Sequence, residues 1–136
     1  MKDAASGMEA QLRELLGDED FLKLVENYGG IRLFVPSFGA NEMTNVERVL
    51  GADAARKLAE LWGGDYLVPP LARTFRAIRY QRDGLSNAKI AQRLGITESG
   101  VVRIFSRENA ARRVRREKLR GGLDTAGSTR SGSTIA

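Results

Sequence analysis

The chain has 136 residues, 42% of them apolar, a formal net charge of +5, and neither Cys nor His. Those values bound it to one compact domain, or two very small ones, plus tails. They exclude disulfides, Cys/His zinc sites and imidazole acid–base chemistry, and no apolar run approaches the ~18 residues of a membrane span.

The opening residues, MKDAASGMEA, lack the apolar core of a signal peptide, so a soluble cytoplasmic protein is expected. Residues 1–8 are expected to fray. From Met8 to Tyr28 the apolar residues Met8, Leu12, Leu15, Leu16, Phe21, Leu22, Leu24 and Val25 recur with a helical period, broken at Gly17-Asp18. Asp18 is a candidate cap for the second helix, whose acidic first turn suits the helix dipole. Gly29-Gly30 ends that helix. The next run, Ile31-Arg32-Leu33-Phe34-Val35, is β-prone and is stopped by Pro36. Residues 37–45 predict a loop, and residues 45–62 a helix that restarts near Ala52-Asp53. Gly63-Gly64 closes it, and Asp65-Tyr66-Leu67-Val68 is a second short strand before Pro69-Pro70. Residues 71–82 predict a helix with Leu71, Phe75, Ile78 and the stem of Arg79 inward, and with Arg73, Arg76 and Arg82 outward.

An internal repeat stands out in this stretch. LVENYGGIRLFVP and LAELWGGDYLVP share a helix, an aromatic residue, Gly-Gly, a short strand and Pro, with the Gly-Gly pairs 34 residues apart. Two copies do not make a solenoid, which needs three or more. Strands this short need a partner for their edges. Each strand either pairs with the other or pairs with a copy in a second chain.

Residues 87–106, NAKIAQRLGITESGVVRIFS, predict a helix-turn-helix. Ala91 is small where two crossing helices come closest. Gly95 follows the first helix, where a left-handed backbone suits glycine. Ile90, Leu94, Ile96, Val101 and Ile104 are apolar at the inward positions, and Ser86 and Thr97 are hydroxyl residues at the two N-caps. In such a unit the second helix enters the major groove of DNA. Its outward candidates for base contact are Thr97, Glu98, Ser99, Val102, Arg103 and Ser106. Arg103 suits bidentate contact to guanine, Glu98 suits a cytosine amino group and Val102 a thymine methyl. Candidates for phosphate contact are Ser86, Asn87, Lys89 and Arg93, extended by Arg107, Arg112, Arg113 and Arg116. The segment 107–120 is expected to continue the last helix with cations all round, and residues 121–136, rich in Gly, Ser and Thr, are expected to be disordered.

Charge agrees with this placement. Residues 1–70 carry a net of −5, and residues 71–136 a net of +10. Phosphate neutralisation by Lys and Arg supplies most non-specific affinity for DNA.

Over roughly residues 50–118 the chain resembles the Mor transcription activators of Mu-like phages. The residues that carry the resemblance are an aromatic residue followed by Gly-Gly, a strand ending in Val-Pro, an Arg-rich helix, and G-x-S-N-x-x-I-A-x-x-L-G-I-T-x-x-x-V-x-R-I with a basic tail. The strand motif falls on Gly63, Gly64, Val68 and Pro69, one residue short, and again on Gly29, Gly30, Phe34, Val35 and Pro36; this second copy departs from the short activators. The resemblance implies a homodimer formed by strand pairing across a two-fold axis. It also implies a helix-turn-helix that reads paired half-sites of double-stranded DNA, action beside RNA polymerase, and a phage or prophage origin in a bacterial host. The expected fold is mainly α: a small, acidic helical dimerisation region with one or two short β-strands over residues 1–70, then a helix-turn-helix domain with a basic C-terminal helix over 71–120.

A nucleoprotein assembly factor, using the same motif to dock on DNA during packaging or transposition, is the second reading of the sequence. An enzyme is disfavoured. The acidic residues follow no metal-loop spacing, Ser37 and Tyr66 have no evident base, and no cofactor is expected.

Overall fold

The computed structural model describes residues 4–37 and 44–128, with side chains described over residues 7–37 and 44–121. It is mainly helical with one small two-stranded sheet. The chain divides into two units, residues 1–72 and 73–136.

In the first unit the apolar spacing becomes two antiparallel-capable helices, α1 (Ala4–Leu16) and α2 (Asp18–Tyr28), parted at Gly17. Gly17 adopts φ 84°, which ends α1 and starts α2 in a single residue. Gly17, not Asp18, therefore holds the N-cap position, and no side chain caps the helix. Asp18 instead takes an exposed ion pair with Arg13 at 3.3 Å. Helix α1 already begins at Ala4, so the expected fraying does not extend to residue 8. The short α3 (Asn45–Leu50) starts with a capping box: Thr44 accepts from the Glu47 N–H, and the Glu47 carboxylate accepts from the Thr44 N–H. Gly51 separates it from α4 (Ala52–Trp62), as the sequence predicts. Most of the predicted loop over 37–45 lies outside the described residues.

These four helices bury Leu12, Phe21, Leu24 and Leu58 completely, with Val25, Val46, Leu50 and Ala54 nearly so. Each large apolar side chain removed from water contributes about 1.5–3 kcal/mol.

The repeat closes on itself. Strand β1 (Leu33–Val35) pairs antiparallel with β2 (Asp65–Leu67), in the register Leu33↔Leu67, Phe34↔Tyr66, Val35↔Asp65. The N–H of Gly30 donates to the Pro69 carbonyl at 2.8 Å, and that of Gly64 to the Val35 carbonyl at 2.7 Å. Of the two pairings open to these strands, the structure has the one within the chain. Both strands are shorter than expected, and Ile31, Arg32 and Val68 lie outside them.

The Gly-Gly pairs have a divided role. Gly29 and Gly63 keep ordinary φ angles of −58° and −56°. A Cβ there, however, would stand 2.5 Å from the carbonyl oxygen of Val25 or Ala59. Gly30 and Gly64 are left-handed, with φ 81° and 80°. The first glycine of each pair gives room and the second reverses the chain into the strand.

Leu33, Val35, Leu67 and Pro69 face the core, while Phe34, Tyr66 and Val68 face out. Among the strand-motif residues, Val35 and Pro69 are thus enclosed in their own unit. Phe34 and Tyr66 meet edge to face at 5.3 Å, and the Arg32 guanidinium lies 4.3 Å from the Tyr66 ring centre.

The second unit is three helices: α5 (Arg73–Arg82), α6 (Asn87–Leu94) and α7 (Glu98–Ser128). Its buried residues are Ala77, Tyr80, Ile90, Ala91, Leu94 and Val101. Two expectations are corrected. Helix α5 begins at Arg73, so Leu71 precedes it and stays exposed. Ala72 has φ 52°, outside helical geometry, and the helix starts only after it. Helix α7 does not stop near Arg120 but continues to Ser128, so the expected disorder does not begin at residue 121; residues 129–136 lie outside the described residues.

Candidate nucleic-acid interface

The geometry of the second unit follows from how its helices end. Helix α5 is stopped at Gly84, φ 94°, where the Leu85 N–H reaches back to the Tyr80 carbonyl at 3.0 Å. Ser86 then caps α6, its Oγ accepting from the Lys89 N–H at 3.2 Å. Gly95 ends α6 with φ 71° and ψ 33°. The next N–H, that of Ile96, bonds the Ala91 carbonyl at 3.0 Å, the six-to-one bond of a Schellman stop. Two residues later Thr97 opens α7, its Oγ1 accepting from the Gly100 N–H at 3.1 Å. The chain therefore makes two capped helices with a three-residue turn between them, packed on each other through Ile90, Ala91, Leu94 and Val101. Ala91, 5% exposed, sits in the turn's hydrogen-bond pattern as well as in the core.

Helix α7 is two-faced along its first three turns. Val101 is fully buried, and Ile104, Phe105, Glu108 and Ala111 are half-buried. Glu98, Ser99, Val102, Arg103 and Ser106 are exposed, with Val102 51% open to solvent. Ser99, Val102, Arg103 and Ser106 recur at helical spacing and share one outward stripe. Thr97 is exposed too, but its hydroxyl is engaged in the cap and lies 3.1 Å from the Ser99 hydroxyl. Its geometry serves the start of the helix first. Arg103 makes no ion pair among the described residues.

The candidates for phosphate contact separate into three groups. Asn87 and Lys89 are exposed on the first turn of α6, beside Ser86, whose hydroxyl can still donate while it accepts the cap bond. Arg93 is exposed at the other end of α6, with its guanidinium 5.3 Å from the centre of the Tyr80 ring. On α7, Arg112 pairs with Glu108 at 3.4 Å within its own helix. Arg107, Arg113 and Arg116 are exposed and unpaired among the described residues.

Arg76, which the helical period places outward, is half-buried and does something else. Its Nε donates to the Tyr80 hydroxyl at 3.2 Å and its terminal nitrogen to the Arg93 carbonyl at 3.1 Å. It thus ties α5 to the last turn of α6, two residues before the Gly95 stop. A cation there also complements the negative end of α6. The sequence carried a signal for Tyr80 as core, since Phe75, Ile78 and Tyr80 crowd one short helix, but none for the distant carbonyl of Arg93.

Among the described residues no group of three or more acidic side chains is placed to hold a metal ion, and no helix is long and apolar enough to cross a membrane. No family model, curated protein or solved structure matches this chain.

Proposed function

We propose that the protein is a sequence-specific DNA-binding transcription regulator, a dimeric activator of the Mor type that acts beside RNA polymerase in the cytoplasm of a bacterial host. The observation that carries this reading is the exposed stripe of Ser99, Val102, Arg103 and Ser106 on a helix whose opposite face is locked by Val101. Those four side chains combine hydroxyls, a methyl surface and a guanidinium, the chemistry that reads base edges. Lys89, Asn87 and the free N–H groups at the start of α6 suit a neighbouring phosphate, because a helix N-terminus attracts anions. The net charge of +10 over residues 71–136 supports the same partner.

Dimerisation follows from the two-fold operators that such readers favour. With β1 and β2 paired within the chain, the outward sheet face with Phe34, Tyr66 and Val68 exposed is a surface that suits a second copy.

Selection of bound fragments from a random duplex pool tests the reading. Enrichment of a two-fold sequence is expected; recovery of fragments with no common sequence refutes base reading. A promoter-reporter assay separates activation from the alternative of an assembly factor docked on DNA, which leaves transcription unchanged.

A further inference from the structure

Beyond Ala111 none of the described side chains of helix α7 is half-buried: residues 112–121 are all exposed. That stretch is not built for a helical partner. Its two large apolar residues, Val114 and Leu119, are 51% and 69% exposed and lie five positions apart, so they do not form a seam. Its cations are dense instead, six in the nine residues 112–120. Glu108 draws in Arg112 and Arg115, at 3.4 and 3.5 Å. Arg107, Arg113, Arg116, Lys118 and Arg120 make no ion pair among the described residues.

Their positions on the helix are not random with respect to the outward stripe. At about 100° per residue, Arg107 and Lys118 fall on one flank of the stripe and Arg116 on the other, while Arg113 and Arg120 lie along the edge of the stripe nearer Arg116, the edge that Val102 marks. An α-helix with its side chains is about 10–12 Å across, and the major groove is about 12 Å wide and walled by phosphates on both sides. A helix cationic on one flank fits a single strand of phosphates; a helix cationic on both fits a position between two.

We propose that residues 107–120 of α7 form a two-sided phosphate clamp on duplex DNA, which holds the helix lengthwise between the two backbones while the first turns of the same helix meet the bases. The clamp rests on the reading of α7 as the DNA-contacting helix but not on its sequence specificity. It divides one helix into a specifying half and an anchoring half, and the anchoring half sets the salt dependence.

The test is the slope of log affinity against log salt for the full chain on a mixed-sequence duplex, measured by fluorescence anisotropy between about 50 and 200 mM salt. With Arg107, Arg113, Arg116, Lys118 and Arg120 changed to Gln together, the slope becomes shallower by about four to five units, at close to one unit per phosphate contact. A second variant with the four arginines changed to Lys keeps the slope, because it keeps the charge. Arg103→Ala alone changes the slope by about one unit or less. A Gln variant within one unit of the wild-type slope overturns the clamp, as does loss of slope in both variants, which marks a structural effect. Tighter wild-type binding to single-stranded RNA than to duplex also overturns it. If the slope changes as expected but random-pool selection finds no common sequence, the clamp stands and the sequence-specific reading falls. If the wild-type chain ignores duplexes at low salt, both fall.

Discussion

Replacing Gly95 by Ala isolates the turn on which the whole interface depends. Gly95 has φ 71° and ψ 33°, and a Cβ built there meets nothing within 4 Å. The cost is therefore purely backbone, about 1–2 kcal/mol for an L-residue held in the left-handed region. Asn tolerates that region better than Ala, so Gly95→Asn should recover part of the loss. Gly63 is the internal control. Its φ is ordinary at −56°, but a Cβ would stand 2.5 Å from the Ala59 carbonyl oxygen. Asn therefore brings no relief at Gly63, and the larger side chain is at least as damaging as Ala. Urea denaturation of the four variants, followed by circular dichroism, measures the differences directly. The reasoning is refuted if Gly95→Ala costs nothing, because the turn is then not left-handed, or if Asn helps at residue 63 and not at residue 95.

Three further outcomes are expected. Arg103→Ala should weaken specific binding by about 1–3 kcal/mol, roughly 5- to 150-fold, and relax one base preference; as an exposed side chain without an ion-pair partner, it should shift the urea midpoint little. Arg76→Lys cannot span both the Tyr80 hydroxyl and the Arg93 carbonyl, so it should lower stability by about 1 kcal/mol in the same denaturation experiment, with Tyr80→Phe losing less because the ring stays buried. Burial raises the carboxyl pKa of Glu9 above its usual 4.5, against the opposing pull of Arg13. The folded state thus favours the protonated form, and this contribution to stability is present below pH 4.5 and is lost as pH rises through the raised value. Glu9→Gln should accordingly raise the melting temperature at neutral pH, and the gain should shrink on acidification; a gain that grows instead contradicts the assignment.

The helices were legible because their signals are local. Gly17 and Gly51 interrupt two apolar periods, and the structure breaks the helices at those residues. Ser86, Gly95 and Thr97 announced the caps and the turn from residue type alone, and all three do so. The Gly-Gly repeat was visible as a pattern, but its meaning was not. Whether two strands pair within a chain or across chains depends on the path between them, and a sequence pattern is the same in both cases. Side chains that bridge elements were the least legible. Arg76 looked like one more solvated arginine, since its partners are four and seventeen residues away and one is a backbone carbonyl. The length of α7 was missed for the opposite reason. Past Ala111 its described side chains, to residue 121, are all exposed, so no apolar period marks its course there, and glycines at 121 and 122 suggest an end that the helix passes through.

The self-paired repeat has a consequence for how this protein assembles and diversifies. Two strands drawn from one polypeptide pair with each other at any dilution. That pairing also frees the two copies from being identical, as a symmetric pair of subunits must be. Leu33-Phe34-Val35 already pairs with a different sequence, Asp65-Tyr66-Leu67, and a change in one copy leaves its counterpart untouched.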